Sequence, residues 1–187
     1  MLEVLEERGA ILRGHFKLSS GRHSNLFVQK FRVLEHPRLA QRFGEAIGRS
    51  FSEDFDVVAS PAVGAVVLGF STALASGARF VFAERVDGEL QFRRGFEVGP
   101  RERVLIVEDV ITTGASVRAI ADLVRQIAGE LVGVGALIDR GDRARLTDLG
   151  VPLRSLARLQ VDSWDETQCP LCAEGAELAD PGSRRLG

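Results

Sequence analysis

Two cysteines in 187 residues, Cys169 and Cys172, permit at most one disulfide, so no disulfide framework holds this chain together. Lysine is nearly missing: Lys17 and Lys30 stand beside a positive charge otherwise carried by arginine. That bias reads as genome composition, with thermal adaptation as the alternative. A formal net charge of −2 excludes the overall basic field that would advertise nucleic acid or an anionic membrane surface. No apolar run approaches the length of a membrane span, and the N-terminal MLEVLEERGAILRGH lacks the basic start and apolar centre of a signal peptide. A cytoplasmic protein is expected. What is present is 45% hydrophobic residues, enough for one globular domain that buries roughly 70% of its unfolded surface.

Leu2 to Arg8 fits a short amphipathic helix stopped by Gly9. HFKLSSGRHSNLFVQK, with a Ser-Ser-Gly turn between alternating stretches, predicts a hairpin. After Pro37, the spacing of Leu39, Phe43, Ala46, Ile47 and Phe51 predicts a helix. Elements then alternate. DVVAS reads as a strand, PAVGAVVLGFSTALASG as a helix ending at Gly77, and RFVFAER and RVLIVED as strands. SVRAIADLVRQIAG is a helix closed by Gly129, and LVGVGALIDR a fourth strand. The expected class is α/β: a central parallel sheet flanked by helices, with ligands bound beyond the C-terminal strand ends. In VDGELQFRRGFEVGPR a turn at DGEL precedes Arg93 and Arg94; its composition favours a solvated surface hairpin over a functional lid. The final GAELADPGSRRLG reads as a loose tail.

The stretch RVLIVEDVITTGAS poses a chemical question. Glu108 and Asp109 close an apolar run that reads as a fully buried strand, where carboxylates are costly unless something binds them. Ser116 fits the N-cap of a helix with apolar positions Val117, Ile120, Val124 and Ile127. Thr112, Thr113, Gly114, Ala115 and Ser116 then lie at the positive end of that helix. Backbone N–H groups, small side chains and three hydroxyls there make a phosphate cradle, and Gly114 lets an anion approach closely. No GxxxxGK[ST] loop is present. The Gly133-Val-Gly135 pattern lacks its third glycine, whose place Ile138 takes, and it lies in a strand. An acidic pair before a phosphate cradle suits a sugar phosphate; the plainer alternative is two solvated carboxylates before an ordinary helix.

VLIVEDVITTGAS resembles the 5-phosphoribosyl-1-pyrophosphate (PRPP) binding motif of the type I phosphoribosyltransferases. GHFKLSSGRHSNLFVQK is similar to the hood segment of the orotate phosphoribosyltransferases, and ALIDRGDR to the strand end where that family presents an arginine to orotate. The likeness runs from about Leu12 to Arg143. It implies a single phosphoribosyltransferase domain over residues 1–187, with a hood mainly in 1–36, a core in about 37–165 and a C-terminal tail in about 166–187. The implied reaction is orotate plus PRPP giving orotidine 5′-monophosphate and pyrophosphate, a glycosyl (pentosyl) transfer in pyrimidine and UMP biosynthesis. By the same resemblance Glu108 and Asp109 hold the ribose hydroxyls and stabilise positive charge, and Thr112 to Ser116 bind the 5′-phosphate. Arg140 pairs with the orotate carboxylate, Phe27 lies beside its ring, Ala62, Val63 and Gly64 bind pyrophosphate, and Lys17, close to Ser19 in the hood, is a further substrate-binding position. Arg85 begins a mobile loop that is usually lysine-rich in the family; this chain departs there, and Arg93 and Arg94 are the candidate replacements at its tip, one of them expected to supply charge to the neighbouring subunit's site. The resemblance further implies Mg2+ held mainly through PRPP rather than by an all-protein set, a homodimer, and neither nucleic acid nor membrane as partner. Val63 and Ser19 depart from it, standing where many members carry basic residues. Two rival readings are a phosphoribosyltransferase for another base and a PRPP-sensing regulator; no helix-turn-helix extension favours the latter.

His15, His23 and His36 are scattered, none next to a second ligand, and His23 is expected as a satisfied surface histidine. Cys169-Pro-Leu-Cys172 is a single CxxC without a second pair. Two chains could pool four cysteines, but ordinary thiols in a C-terminal turn are the expectation. A redox site is not expected, because CPLC does not open a helix after a sheet strand.

Overall fold

The computed structural model describes residues 2–18, 20–52, 54–141 and 143–181. In chain order the elements are α1 (Leu2–Glu7), β1 (Ile11–Lys17), β2 (His23–Val28), α2 (Phe31–Leu34), α3 (Pro37–Arg49), β3 (Val57–Pro61), α4 (Val66–Ser76) and β4 (Arg79–Val86). There follow β5 (Glu89–Phe92), β6 (Arg103–Ile111), α5 (Ala115–Gln126), β7 (Glu130–Asp139), β8 (Leu153–Arg158), β9 (Ser163–Trp164), α6 (Pro170–Ala173) and β10 (Leu178–Ala179). They form two compact units, Val33–Leu159 and the pair Met1–Arg32 with Gln160–Gly187.

The larger unit holds a six-stranded sheet in the order β5-β4-β3-β6-β7-β8. Every pairing is parallel except that of β5, which folds back on β4 as a hairpin. Alternate residues choose the faces. Val57, Ala59, Val81, Ala83, Val104, Ile106, Val134 and Ala136 pack with Val117, Ile120, Ala121 and Val124 of α5. The other face meets α3 and α4. A Cβ on Gly69 of α4 would strike the Ser60 and Phe80 side chains, and one on Gly133 or Gly135 would strike Phe51 or Ile47. The glycines of β7 therefore serve close helix–sheet packing. Covered on both faces, the strands are near-continuous apolar runs, and completely buried Leu105 and Ile106 each contribute about 1.5–3 kcal/mol.

The α/β class and parallel sheet match expectation, with local corrections. Pro61 ends β3, so α4 begins at Val66 rather than at Pro61; it closes as expected on left-handed Gly77 (φ 70°). β6 continues past the acidic pair to Ile111. The N-cap of α5 is Gly114 (φ 74°), not Ser116, which sits inside the helix: the left-handed turn the loop needs falls on the glycine. β8 was not foreseen, because LRSLAR carries two arginines on a sheet edge paired only with β7. The DGEL turn does form, joining β4 to β5 through Asp87 and Gly88. Beyond it, Leu90 and Val98 are buried and Phe96 packs edge-on against Phe82 with centroids 4.9 Å apart.

The smaller unit carries a four-stranded sheet, β10-β1-β2-β9. β1 and β2 form the expected antiparallel hairpin, with Leu12 opposite Phe27 and Lys17 opposite His23. The stretch from Gly175 is not wholly a loose tail: Leu178 and Ala179 pair in parallel with His15 and Phe16. Its apolar interior is slight, drawn from Leu5, Ala10, Phe16, Leu26 and Val28. Among the described residues no helix is long and apolar enough to cross a membrane.

Candidate active site

The chain leaves β3 through α4 to reach β4 on one side, and then places β6 on the other side of β3 before continuing to β7 and β8. Strand order therefore reverses between β3 and β6. In an open parallel sheet this is where a crevice forms beyond the C-terminal strand ends. Two larger hollows, of about 460 Å3 beside Asp54 and Phe55 and about 670 Å3 beside Gly99 and Glu102, adjoin residues that precede β3 and β6. They lie at the wrong strand ends for such a crevice.

Glu108 and Asp109 stand at the right ones, 8% and 4% exposed. Local N–H groups hold the charges: Asp109 N donates to Glu108 Oε1 at 2.9 Å, and Val110 N to Asp109 Oδ1 at 2.6 Å. Thr112 and Thr113 are exposed, and Ala115 N points to Thr113 Oγ1 at 3.4 Å. Arg118 N donates to Gly114 O at 2.9 Å, so the N–H groups of Ala115, Ser116 and Val117 lie ahead of the helical ladder, where the dipole is positive. A hollow of about 60 Å3 runs along this loop, lined from Glu108 to Val117. Gly114 is required twice over, by its left-handed backbone and because a Cβ there would sit 2.7 Å from Leu146 Cδ2.

Arg140 follows β7 next door, its N–H donating to Ile111 O at 2.9 Å. The side chain is half-buried, and burial pushes its guanidinium below the ordinary arginine value. Among the described residues its Nε has no hydrogen-bond partner. A desolvated planar cation at this position favours an anionic ligand. Gly141 holds the strand end against the loop, since a Cβ there would run into the Thr112 carbonyl. Asp139, 1% exposed, accepts Gly141 N–H at 2.9 Å. This acid escaped sequence reading although it too ends an apolar strand.

After β3, Ala62 N donates to Ala83 O at 2.8 Å, the Ala62–Val63 peptide is cis, and Val63 is 76% exposed ahead of Gly64. Arg85, exposed near the end of β4, donates through Nη1 to the Gly88 carbonyl of its own hairpin. Arg94 grips Glu84 with two bonds of 2.8 and 2.9 Å, which draws the Glu84 carboxyl below its ordinary value and raises Arg94. Arg93 makes no such bond among the described residues. The parallel topology thus gathers Glu108 to Ser116, Ala62 to Gly64, Arg85 and Arg140 along one sheet edge. Lys17 and Phe27 belong to the smaller unit, Lys17 exposed and Phe27 with its ring 5.8 Å from Phe16. Ser19 lies outside the described residues.

The histidines require correction. His23 is buried, not a surface histidine, and neither it nor buried His15 stands apart from other ligands: both converge with Cys169 and Cys172 so that their ligand atoms lie within 4.8 Å of one another. CPLC also opens a short helix, α6, though after a 3-10 turn rather than a strand. No linear signal joins residues 154 positions apart.

The chain matches the phosphoribosyl transferase domain family over residues 32–151. It is 43% identical to the orotate phosphoribosyltransferase of Caldanaerobacter subterraneus subsp. tengcongensis, across all of this chain and 97% of that protein. The crystal structure of orotate phosphoribosyltransferase from Aeropyrum pernix superposes with a TM-score of 0.72 at 29% identity, covering 86% of this chain and 94% of that one. That of the Mycobacterium tuberculosis H37Rv enzyme in complex with PRPP gives 0.65 at 28%, covering 84% and 94%. With these relatives, and with an acidic pair and a threonine-rich loop ending the central strand of a parallel sheet, the chain belongs to the phosphoribosyltransferase family, among the orotate phosphoribosyltransferases.

Proposed function

We propose that the chain transfers the phosphoribosyl group of PRPP to orotate, forming orotidine 5′-monophosphate and pyrophosphate in pyrimidine nucleotide synthesis. One observation carries the choice of acceptor: half-buried Arg140, its Nε without a hydrogen-bond partner among the described residues, stands beside the phosphate loop. Its fork matches a carboxylate bidentately, and adenine would offer it no charge. In this reading the 5′-phosphate rests on Thr112, Thr113, Gly114, Ala115 and Ser116. Glu108 and Asp109 accept the ribose hydroxyls and stabilise the positive charge that grows as the bond from ribose C1 to pyrophosphate breaks and the bond to orotate nitrogen forms. The work is positioning and electrostatics. Pyrophosphate departs toward the backbone of Ala62, Val63 and Gly64, with Arg85 nearby. Lys17 and Phe27 are assigned to the substrates by the resemblance alone.

Mg2+ fits this site: the oxygens of PRPP would hold it in the main, the negative charge of Glu108 and Asp109 nearby would favour it, and the cation would neutralise the leaving pyrophosphate. A cytoplasmic homodimer belongs to the same reading. Val67, Phe70 and Leu74 form a stripe on α4 that is 40%, 55% and 65% exposed, which suits a second copy of the chain. Arg93 is the better candidate for a cation donated to the neighbouring site, because Arg94 is occupied by Glu84. Arginine neutralises charge there without acting as a general acid.

The test is incubation with Mg2+ and PRPP, and in turn orotate, adenine, hypoxanthine and uracil. Consumption of orotate with one pyrophosphate released per turnover is expected. Turnover with another base alone overturns the choice of acceptor, and none with any base overturns the activity. Arg93→Ala should lower kcat at least about tenfold and Arg94→Ala far less; two unaffected variants would remove the lid assignment.

A further inference from the structure

The smaller unit is short of apolar interior. Its two segments, residues 1–32 and 160–187, amount to about 60 residues, and β9 and β10 are two residues long each. Units of this size bury too small a share of their surface to be secure, and a metal or disulfide commonly staples them. We propose that His15, His23, Cys169 and Cys172 form a tetrahedral Zn2+ site that ties the β1–β2 hairpin to the α6 segment.

The geometry carries this. His15 Nε2 lies 3.0 Å from His23 Nδ1, 3.5 Å from Cys169 Sγ and 3.6 Å from Cys172 Sγ, and His23 Nδ1 lies 3.2 Å from Cys172 Sγ. A tetrahedral zinc ion with ordinary bond lengths sets N···N at about 3.3 Å, N···S at about 3.6 Å and S···S at about 3.8 Å. These four of the six edges agree to within about 0.4 Å, and the remaining two, from Cys169 Sγ to His23 Nδ1 and to Cys172 Sγ, lie within 4.8 Å, so binding the ion would draw the Cys169 thiol inward. The two rings meet edge-on, at 65° with centroids 4.9 Å apart, so their nitrogens converge instead of their faces stacking.

The ligands are also oriented. His15 Nδ1 lies 2.9 Å from the Ala176 carbonyl; a proton donated there leaves the lone pair on Nε2, facing the cluster. The α6 segment thus supplies two thiols and, just beyond them, the carbonyl that aims a third ligand. In β1 the register breaks between Arg13 and Phe16, and His15 and Phe16 are buried in succession where a regular strand would alternate. His15, His23 and Cys169 are at most 5% exposed, while Cys172 is open to solvent and gives a cation its way in. Two thiolates and two imidazoles in tetrahedral array select Zn2+ over the hard Mg2+ of the PRPP reaction. A Cys169–Cys172 disulfide would consume the thiols and leave two buried imidazoles facing one another.

The whole chain, expressed with zinc and purified under reducing conditions, should carry about one Zn2+ by elemental mass spectrometry. Exchange for Co2+ should give the visible bands of tetrahedral cobalt and a near-ultraviolet thiolate charge-transfer band. Stripping the metal should lower Tm on the order of 10 °C, restored by Zn2+ and not by Mg2+. His15→Ala and Cys169→Ser should retain under about one tenth of the zinc. Because those variants can fail to fold, the cobalt spectrum of the unaltered protein decides. Absence of metal uptake by the folded reduced chain overturns the site, as does an octahedral cobalt spectrum without the charge-transfer band. Persistence of a Cys169–Cys172 disulfide in the presence of zinc overturns it too, and bound zinc whose removal leaves Tm unmoved overturns its role as a staple.

Discussion

In the larger unit the residues buried completely include Leu105, Ile106, Ile120 and Leu137; in the smaller one His15 and His23 are nearly as deep. The first unit closes an apolar interior between a sheet and helices that follow one another along the chain. The second draws its sheet from both ends of the chain and sets two imidazoles and the Cys169 thiol where the other has leucines. The difference separates two kinds of information. Apolar periodicity reports structure made by neighbours in sequence, whereas a site assembled across 154 positions has no periodicity to report.

The sharpest test of the contrast is at the acidic pair. Asp109→Asn keeps the shape and the Oδ1 acceptor for Val110 N–H while removing the charge. kcat should fall about 10²- to 10³-fold, with Tm and zinc content unchanged. A parallel loss of zinc would break the contrast by making chemistry and staple one system. Arg140→Ala comes next. It should raise KM for orotate about 10- to 100-fold, the worth of a charged bidentate bond, and leave KM for PRPP within about twofold. Equal increases in both would mean that Arg140 orders the loop rather than the acceptor.

How far the fold could be read follows from the same distinction. The acidic pair, the threonine loop and α5 are consecutive, so their sequence carried their geometry. The error in the cap, Ser116 for Gly114, arose because two candidates lay two residues apart and only the backbone decides which turns left-handed. β8 was lost because an edge strand with Arg154 and Arg158 shows no buried run. His23 was misjudged because its neighbours Arg22 and Ser24 look solvated, although its burial comes from residues beyond position 160.

Gly114→Ala probes the loop through stability. A methyl there meets both the left-handed backbone and Leu146, itself 4% exposed. A loss of about 2 kcal/mol is expected, or about 4–8 °C in Tm, with KM for PRPP raised. Unchanged Tm would show that Leu146 yields and that the glycine serves only the ligand.

The smallest expected effect lies in a clamp that owes nothing to metal. Glu102 accepts Gly99 N–H at 2.5 Å and two bonds from Arg79 at 2.7 and 2.8 Å, tying the start of β4 to the segment before β6. The Gly99 bond first, and Arg79 after it, hold the Glu102 carboxyl below its ordinary 4.5, against burial and the Asp56 charge, which push it up. A carboxyl depressed in the folded state stabilises fully above its unfolded pKa and loses that contribution as pH falls through the folded value. Glu102 is 28% and Arg79 54% exposed at the side chain, so solvent screens the pair and about 1 kcal/mol is the expected cost of Glu102→Gln at pH 7. The variant should melt about 2–4 °C below the parent there, and the gap should close as the carboxyl titrates below its ordinary value. Melting curves at pH 7 and in strong acid decide the matter: a gap that persists in acid would assign the loss to packing, and an interior held by apolar contact alone.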